Sequence, residues 1–185
     1  MTSDPKEVLA SCRSLFAEGA GQRACESLRI LLRKPRTSPD TFQKGGRLLA
    51  KYADVGIEPR PVRIRLFGEC TLTWLKNALS AVALRDGMRV SVSEAAYDNI
   101  VQEIASLEDD DVPDVAILVP WSGRLLDAES EATQKDIIGN WTQAWSLLIG
   151  AGCRRVVQVG YDWMRVGSSG YNLGCENGDI TKVRA

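Results

Sequence analysis

The sequence predicts an α/β fold, a three-layer parallel sheet with helices on both faces, preceded by a small helical subdomain over residues 1–60. Three observations predict it. Apolar residues recur at helical spacing through the first sixty positions. From Val62 onward, short β-branched runs alternate with helical stretches. Turns containing Gly or Pro separate these segments. Alternation of strand and helix implies right-handed crossovers and parallel strands.

Asp4 and Pro5 have the chemistry of an N-cap and a first helical residue, and Val8, Leu9, Cys12, Leu15 and Phe16 follow on one helical face. Gly19 and Gly21 break that helix. Ala24, Leu28, Leu31 and Leu32 line a second, which stops at Lys34 and Pro35. Ser38, Pro39 and Asp40 open a third, and Pro59 and Pro61 impose an extended link. Residues 62–67 form the first strand, ended by Gly68. Residues 71–84 then form a helix with Leu75, Leu79 and Val82 on its buried stripe. A turn at Gly87 leads to a strand over 88–92, and a helix follows over 97–107. The acidic run 108–111 reads as a solvated loop. Val115 to Val119 is apolar throughout, as in a strand buried on both faces. A long helix over 130–149 precedes a fourth strand over 154–160.

With 185 residues, 44% of them hydrophobic and 25% charged, the chain suits one domain, or one domain with an appendage. The apolar stretch 115–121 is too short to span a bilayer, and no basic-then-apolar leader opens the chain, so a cytoplasmic protein is expected. Residues 178–183 read as a helix just starting with Asp179 as its cap, as in the N-terminal piece of a longer protein. Nothing in the motifs indicates nucleic-acid binding or phosphate-cradling glycine loops.

Two counts constrain chemistry further. There is no histidine, which removes imidazole-based triads and histidine metal ligands. The five cysteines include no C-x-x-C pair and read as reduced thiols. Charge is uneven: residues 1–65 carry 13 basic against 7 acidic side chains, while the remainder carries 10 against 17. That asymmetry fits two solvated surfaces equally well as docking of a basic N-terminal face on an acidic partner.

In a doubly wound sheet, ligands bind beyond the carboxyl ends of the strands. This selects Gly68, Glu69, Cys70 and Thr71 after the first strand, Trp121 and Ser122 after the third, and Asp162 after the fourth. Cys70 is the candidate nucleophile, since a helix N-terminus lowers a thiol pKa, although Glu69 opposes that and a buried, inert thiol is the plainer reading. Cys12, Cys25 and Cys153 fall on apolar faces and read as core. Trp121 serves equally as lid or substrate platform. Asp162 fits a turn as well as a ligand contact, and so does Asn172 in its glycine-flanked loop. Trp141 and Trp145, one helical turn apart, read as core.

The helical lead-in, the segment from Val62 through Gly68, Glu69, Cys70 and Thr71, and the turn Arg85, Asp86, Gly87, Met88 together resemble the N-terminal region of FkbH-like proteins. Tyr97, Asp98, Asn99 and Ile100 with Glu103, then Pro113 with Asp114, and Val157, Gln158 and Asn172 with Leu173, continue the resemblance over most of the chain. FkbH-like proteins join an SGNH-hydrolase-like α/β domain, here 61–185, to a haloacid-dehalogenase-type phosphatase domain. The resemblance implies transfer of a glyceryl unit from 1,3-bisphosphoglycerate to an acyl-carrier-protein thiol in polyketide biosynthesis. It puts Glu69 and Cys70 where SGNH hydrolases carry their nucleophile pair, and implies a substrate crevice of Gly68, Glu69, Thr71, Trp121, Ser122, Asp162 and Asn172. The chain departs from the pattern in two ways. The partner Asp-x-x-His is impossible without histidine, and 109–113 does not match the Asp-x-Asp-x-Thr phosphatase loop. No cofactor is therefore expected on this chain, and Mg²⁺ is expected only in a C-terminal phosphatase domain. A non-catalytic carrier-binding or scaffold module, and a cysteine-dependent acyltransferase or esterase, are the alternatives.

Overall fold

The computed structural model describes residues 4–52, 61–96, 99–121 and 130–160. Three helices come first: α1 (Pro5–Ala17), α2 (Gly21–Leu32) and α3 (Pro39–Lys51). Asp4 caps α1 by accepting from the Lys6 N–H at 3.0 Å, and Ser38 caps α3 by accepting from the Thr41 N–H at 3.2 Å. The α/β part follows as β1 (Val62–Gly68), α4 (Thr73–Arg85), β2 (Val90–Glu94), α5 (Ile100–Ala105), β3 (Val115–Val119), α6 (Glu131–Gly150) and β4 (Arg155–Gln158). All pairings are parallel, in the order β2-β1-β3-β4. The chain steps from β1 outward to β2, then across to β3 on the other side of β1. The switch point of this doubly wound sheet is therefore between β1 and β3.

The two faces of β1 are covered differently. Phe67 packs with Ala116 and Leu118 of β3, with Ile100 and Ile104 of α5, and with Trp141, Ala144 and Leu148 of α6. On the opposite face a side chain at Gly68 would strike Leu72, at the entrance to α4. α4 is itself covered by the first three helices, whose core (Leu9, Cys12, Phe16, Leu28, Leu31, Leu32, Leu48) includes Ala81 and Leu84.

This packing corrects the expected stripe on α4. Asn77, Ala81 and Leu84 are buried, whereas Leu75, Leu79 and Val82 are half-buried, because the tightest contact is with α3 and not with the sheet. At Gly46 the two helices approach so closely that a Cβ would lie 2.0 Å from the Asn77 carbonyl oxygen. The Asn77 amide donates to Gln43 Oε1, and the Gln43 amide donates to the Trp74 carbonyl at 2.7 Å, so the polar groups enclosed there are partnered.

Other boundaries shift for local reasons. β2 begins at Val90, because Gly87 in the left-handed region (φ 85°) ends the turn and leaves Met88 exposed. α5 has six residues, not eleven, and Ser106 closes it with its hydroxyl on the Glu103 carbonyl; Tyr97 and Asp98 lie outside the described residues. The acidic run keeps its side chains in solvent, but Asp109–Asp111 forms a 3₁₀ turn, not a plain loop. Its organiser is Arg63, which donates to the carbonyls of Asp110 and Val112. β3 is not buried on both faces. Ala116 and Leu118 are buried but Val115, Ile117 and Val119 are half-covered. Cys25 is half-buried at the edge of the core that it packs against, while Cys12 and Cys153 are buried. Trp145 reaches the surface, its indole N–H donating to Gln158 at 2.7 Å. Among the described residues no helix is long and apolar enough to cross a membrane.

Candidate functional site

Gly68 and Val119 are in register at the carboxyl ends of β1 and β3, so the segments leaving them share one crevice. Gly68 is required there: a Cβ would sit 2.8 Å from Leu72 Cδ1 and 3.0 Å from the Val119 carbonyl oxygen. The Glu69 N–H donates to that carbonyl at 3.4 Å, and its buried carboxylate accepts the Trp121 N–H at 3.1 Å. At the neighbouring strand end, the Thr73 hydroxyl donates to the Glu94 carboxylate at 3.1 Å.

The sequence-selected residues are distributed as follows. Gly68 and Glu69 are buried, Cys70 and Thr71 are exposed, and Trp121 is 50% exposed. Ser122, Asp162 and Asn172 lie outside the described residues. Exposure of Cys70 overturns the reading of a buried thiol. α4 starts only at Thr73, with no side-chain cap, and partial burial, then the adjacent Glu69 carboxylate, push the Cys70 thiol above its ordinary pKa.

A cavity of about 330 Å³ opens beside Glu69 between α5 and α6, lined also by Ile100, Gln102, Asn140, Trp141 and Gln143. Asn140 and Gln143 were not singled out from the sequence. Their signal is an amide pair three residues apart, on either side of Trp141 in the long helix. The turns directly after β1, β2 and β3 hold no Lys or Arg among the described residues. Among the described residues, Glu69 and Glu94 are the charged side chains at these strand ends. Among the described residues no group of three His, Cys, Asp or Glu side chains could hold a metal ion.

Fold and crevice define a doubly wound α/β domain with its candidate site at the β1/β3 switch point. No family model matches the sequence, and neither does any curated protein. Among solved structures, the chain is similar to the N-terminal part of the protein BF1531 from Bacteroides fragilis, a structure containing a phosphatase domain complexed with Mg. The TM-score is 0.52 at 13% identity, covering 85% of this chain. At that identity the likeness is one of fold. This chain spans 38% of the length of that neighbour.

Proposed function

We propose that this chain is the α/β part of an FkbH-like glyceryl transferase, in which Cys70 handles the acyl group between 1,3-bisphosphoglycerate and an acyl-carrier-protein thiol. The observation that carries the reading is the exposed thiol at the carboxyl end of β1, beside Trp121 and the backbone-anchored Glu69. The resemblance in the residues after β1, and the phosphatase domain that the Bacteroides neighbour contains, support it. In the proposed step the Cys70 thiol gives its proton to solvent hydroxide. The thiolate attacks the carbonyl carbon of the acyl phosphate, the C–S bond forms, and phosphate leaves with the electron pair of the broken C–O bond. The carrier thiolate then attacks the thioester and releases the Cys70 thiolate. Mg²⁺ has no donor set among the described residues and belongs, in this reading, to the phosphatase domain.

The raised thiol favours a second reading, a docking module without covalent chemistry. Intact mass after exposure to 1,3-bisphosphoglycerate separates the two, with a haloacid-dehalogenase-type phosphatase half supplied in trans. A glyceryl-sized adduct absent from Cys70→Ala establishes acyl transfer through this residue. No adduct, with the carrier protein still bound, establishes docking.

A further inference from the structure

On the α4 side of the sheet, remote from the Glu69 crevice, a second cavity of about 420 Å³ lies where the helical lead-in meets α4 and β2. The stacked rings of Phe16 and Tyr52 (centroids 5.0 Å apart) and Leu84 give it apolar surface. Lys76 and Ser80 of α4, with Ser91 of β2, add polar groups to its lining. No carboxylate is among its described lining residues. Lys76 is half-buried, and none of the described residues hydrogen-bonds or ion-pairs with its ammonium. An ammonium lining a partly apolar cavity makes strong, charge-assisted hydrogen bonds to a ligand anion. The volume falls in the range of small-molecule sites, which combine apolar walls with a few convergent polar groups.

We propose that this cavity binds a small organic anion, a carboxylate or phosphate monoester on a ring-sized apolar body, with the anionic group on Lys76 and the body against Phe16 and Tyr52. The site is independent of Cys70 and of the function proposed above.

Cys25 lines the same cavity and reports occupancy without any substitution. Phenyl phosphate and benzoate serve as probes, with inorganic phosphate and benzyl alcohol as the charge-only and ring-only controls. The expected result is that at least one anionic aromatic probe raises the melting temperature of the whole chain and slows peptide-mapped alkylation of Cys25. Each control does so more weakly, and whichever aromatic anion acts identifies the preferred group. Lys76→Met, which removes no hydrogen bond or ion pair made by the ammonium within the described protein, raises the probe concentration required by about tenfold. Arg154→Gln, on the surface, leaves it unchanged. Absence of Cys25 protection by both aromatic anions overturns the proposal. So does protection that is undiminished in a folded Lys76→Met, or protection by benzyl alcohol equal to that by the anions.

Discussion

The backbone N–H of Trp121 donates to the carboxylate of Glu69 at 3.1 Å, tying the segment after β3 to the segment after β1 across the switch point. Glu69 is only 8% exposed, and removing its carboxylate takes the acceptor from a partly buried Trp121 N–H. Glu69→Ala is expected to destabilise the fold by about 2 kcal/mol. Glu69→Gln keeps a carbonyl oxygen in place and is expected to cost less than about 1 kcal/mol. Urea midpoints at unchanged slope check both. Equal losses in the two variants would show that the charge, and not the Trp121 bond, is what holds the turn.

Cys70 gives a pH prediction with a definite sign. Burial and then Glu69 disfavour its thiolate, so its folded pKa lies above the ordinary value. Alkylation of Cys70 is therefore expected to be slow at neutral pH and to keep rising beyond the ordinary thiol range. Glu69→Gln removes the like charge and is expected to move the profile to lower pH, though not fully to the ordinary value, because burial remains. Peptide-mapped alkylation rates across pH measure this. A wild-type profile centred below the ordinary thiol value would restore the helix-activated nucleophile that the sequence suggests.

Two adjacent glycines on α3 are expected to respond differently. A Cβ at Gly46 would lie 2.0 Å from the Asn77 carbonyl oxygen, which is backbone and cannot swing aside. Gly46→Ala must push α3 from α4 and is expected to cost about 3 kcal/mol. At Gly45 the nearest atom is Leu28 Cδ1, at 3.4 Å on a side chain. There the gain in helix propensity, up to about 1 kcal/mol, offsets most of the crowding, so Gly45→Ala is expected to be near neutral. Thermal melts of the pair test whether the close approach of these helices is obligatory.

How far the sequence carried the reading follows from which interactions are local. Asp4 with Pro5, Ser38 with Pro39, and the β-branched run of β3 act on their own neighbours, and each is where the sequence put it. The face that α4 buries was not legible, because Leu75 and Leu79 advertise a sheet contact. The deciding feature is one small residue on another helix, Gly46, whose missing Cβ lets α3 meet the α4 backbone at Asn77. The 3₁₀ turn at 109–111 depends on Arg63, 46 or more positions earlier, so the charges alone read as loop. At the candidate site, Gly68, Glu69 and Cys70 were selected from the strand-to-helix transition. The state of Cys70 was not, since it depends on where α4 begins and on how far the thiol is shielded. Gln102, Asn140 and Gln143 converge with Glu69 only through the packing of α5 on α6.

The basic N-terminal region yields a prediction that the structure sharpens. Arg33, Lys34 and Arg36 form one cationic corner in sequence, yet they differ in role. The Arg33 Nε donates to the Arg85 carbonyl at 2.8 Å, satisfying the C-terminal end of α4. Arg29 lies against Gly87, 2.9 Å from where a Cβ would be. Arg85, Arg33 and Arg29 also hold the Asp86 carboxyl below its ordinary pKa, chiefly through the Arg85 hydrogen bond. Reversing Arg33 therefore disturbs the fold as well as the field. If an acidic carrier protein docks here, Lys34→Glu with Arg36→Glu is the cleaner test, because neither side chain makes a hydrogen bond or ion pair within the described protein. The expected outcome is an association rate about tenfold slower at low salt, with the difference shrinking as ionic strength rises and the melting temperature little changed. Stopped-flow association with the carrier protein measures it. A rate that is unchanged at low salt places docking on another face, and a slower rate that is insensitive to salt means the charges act through structure and not through the field.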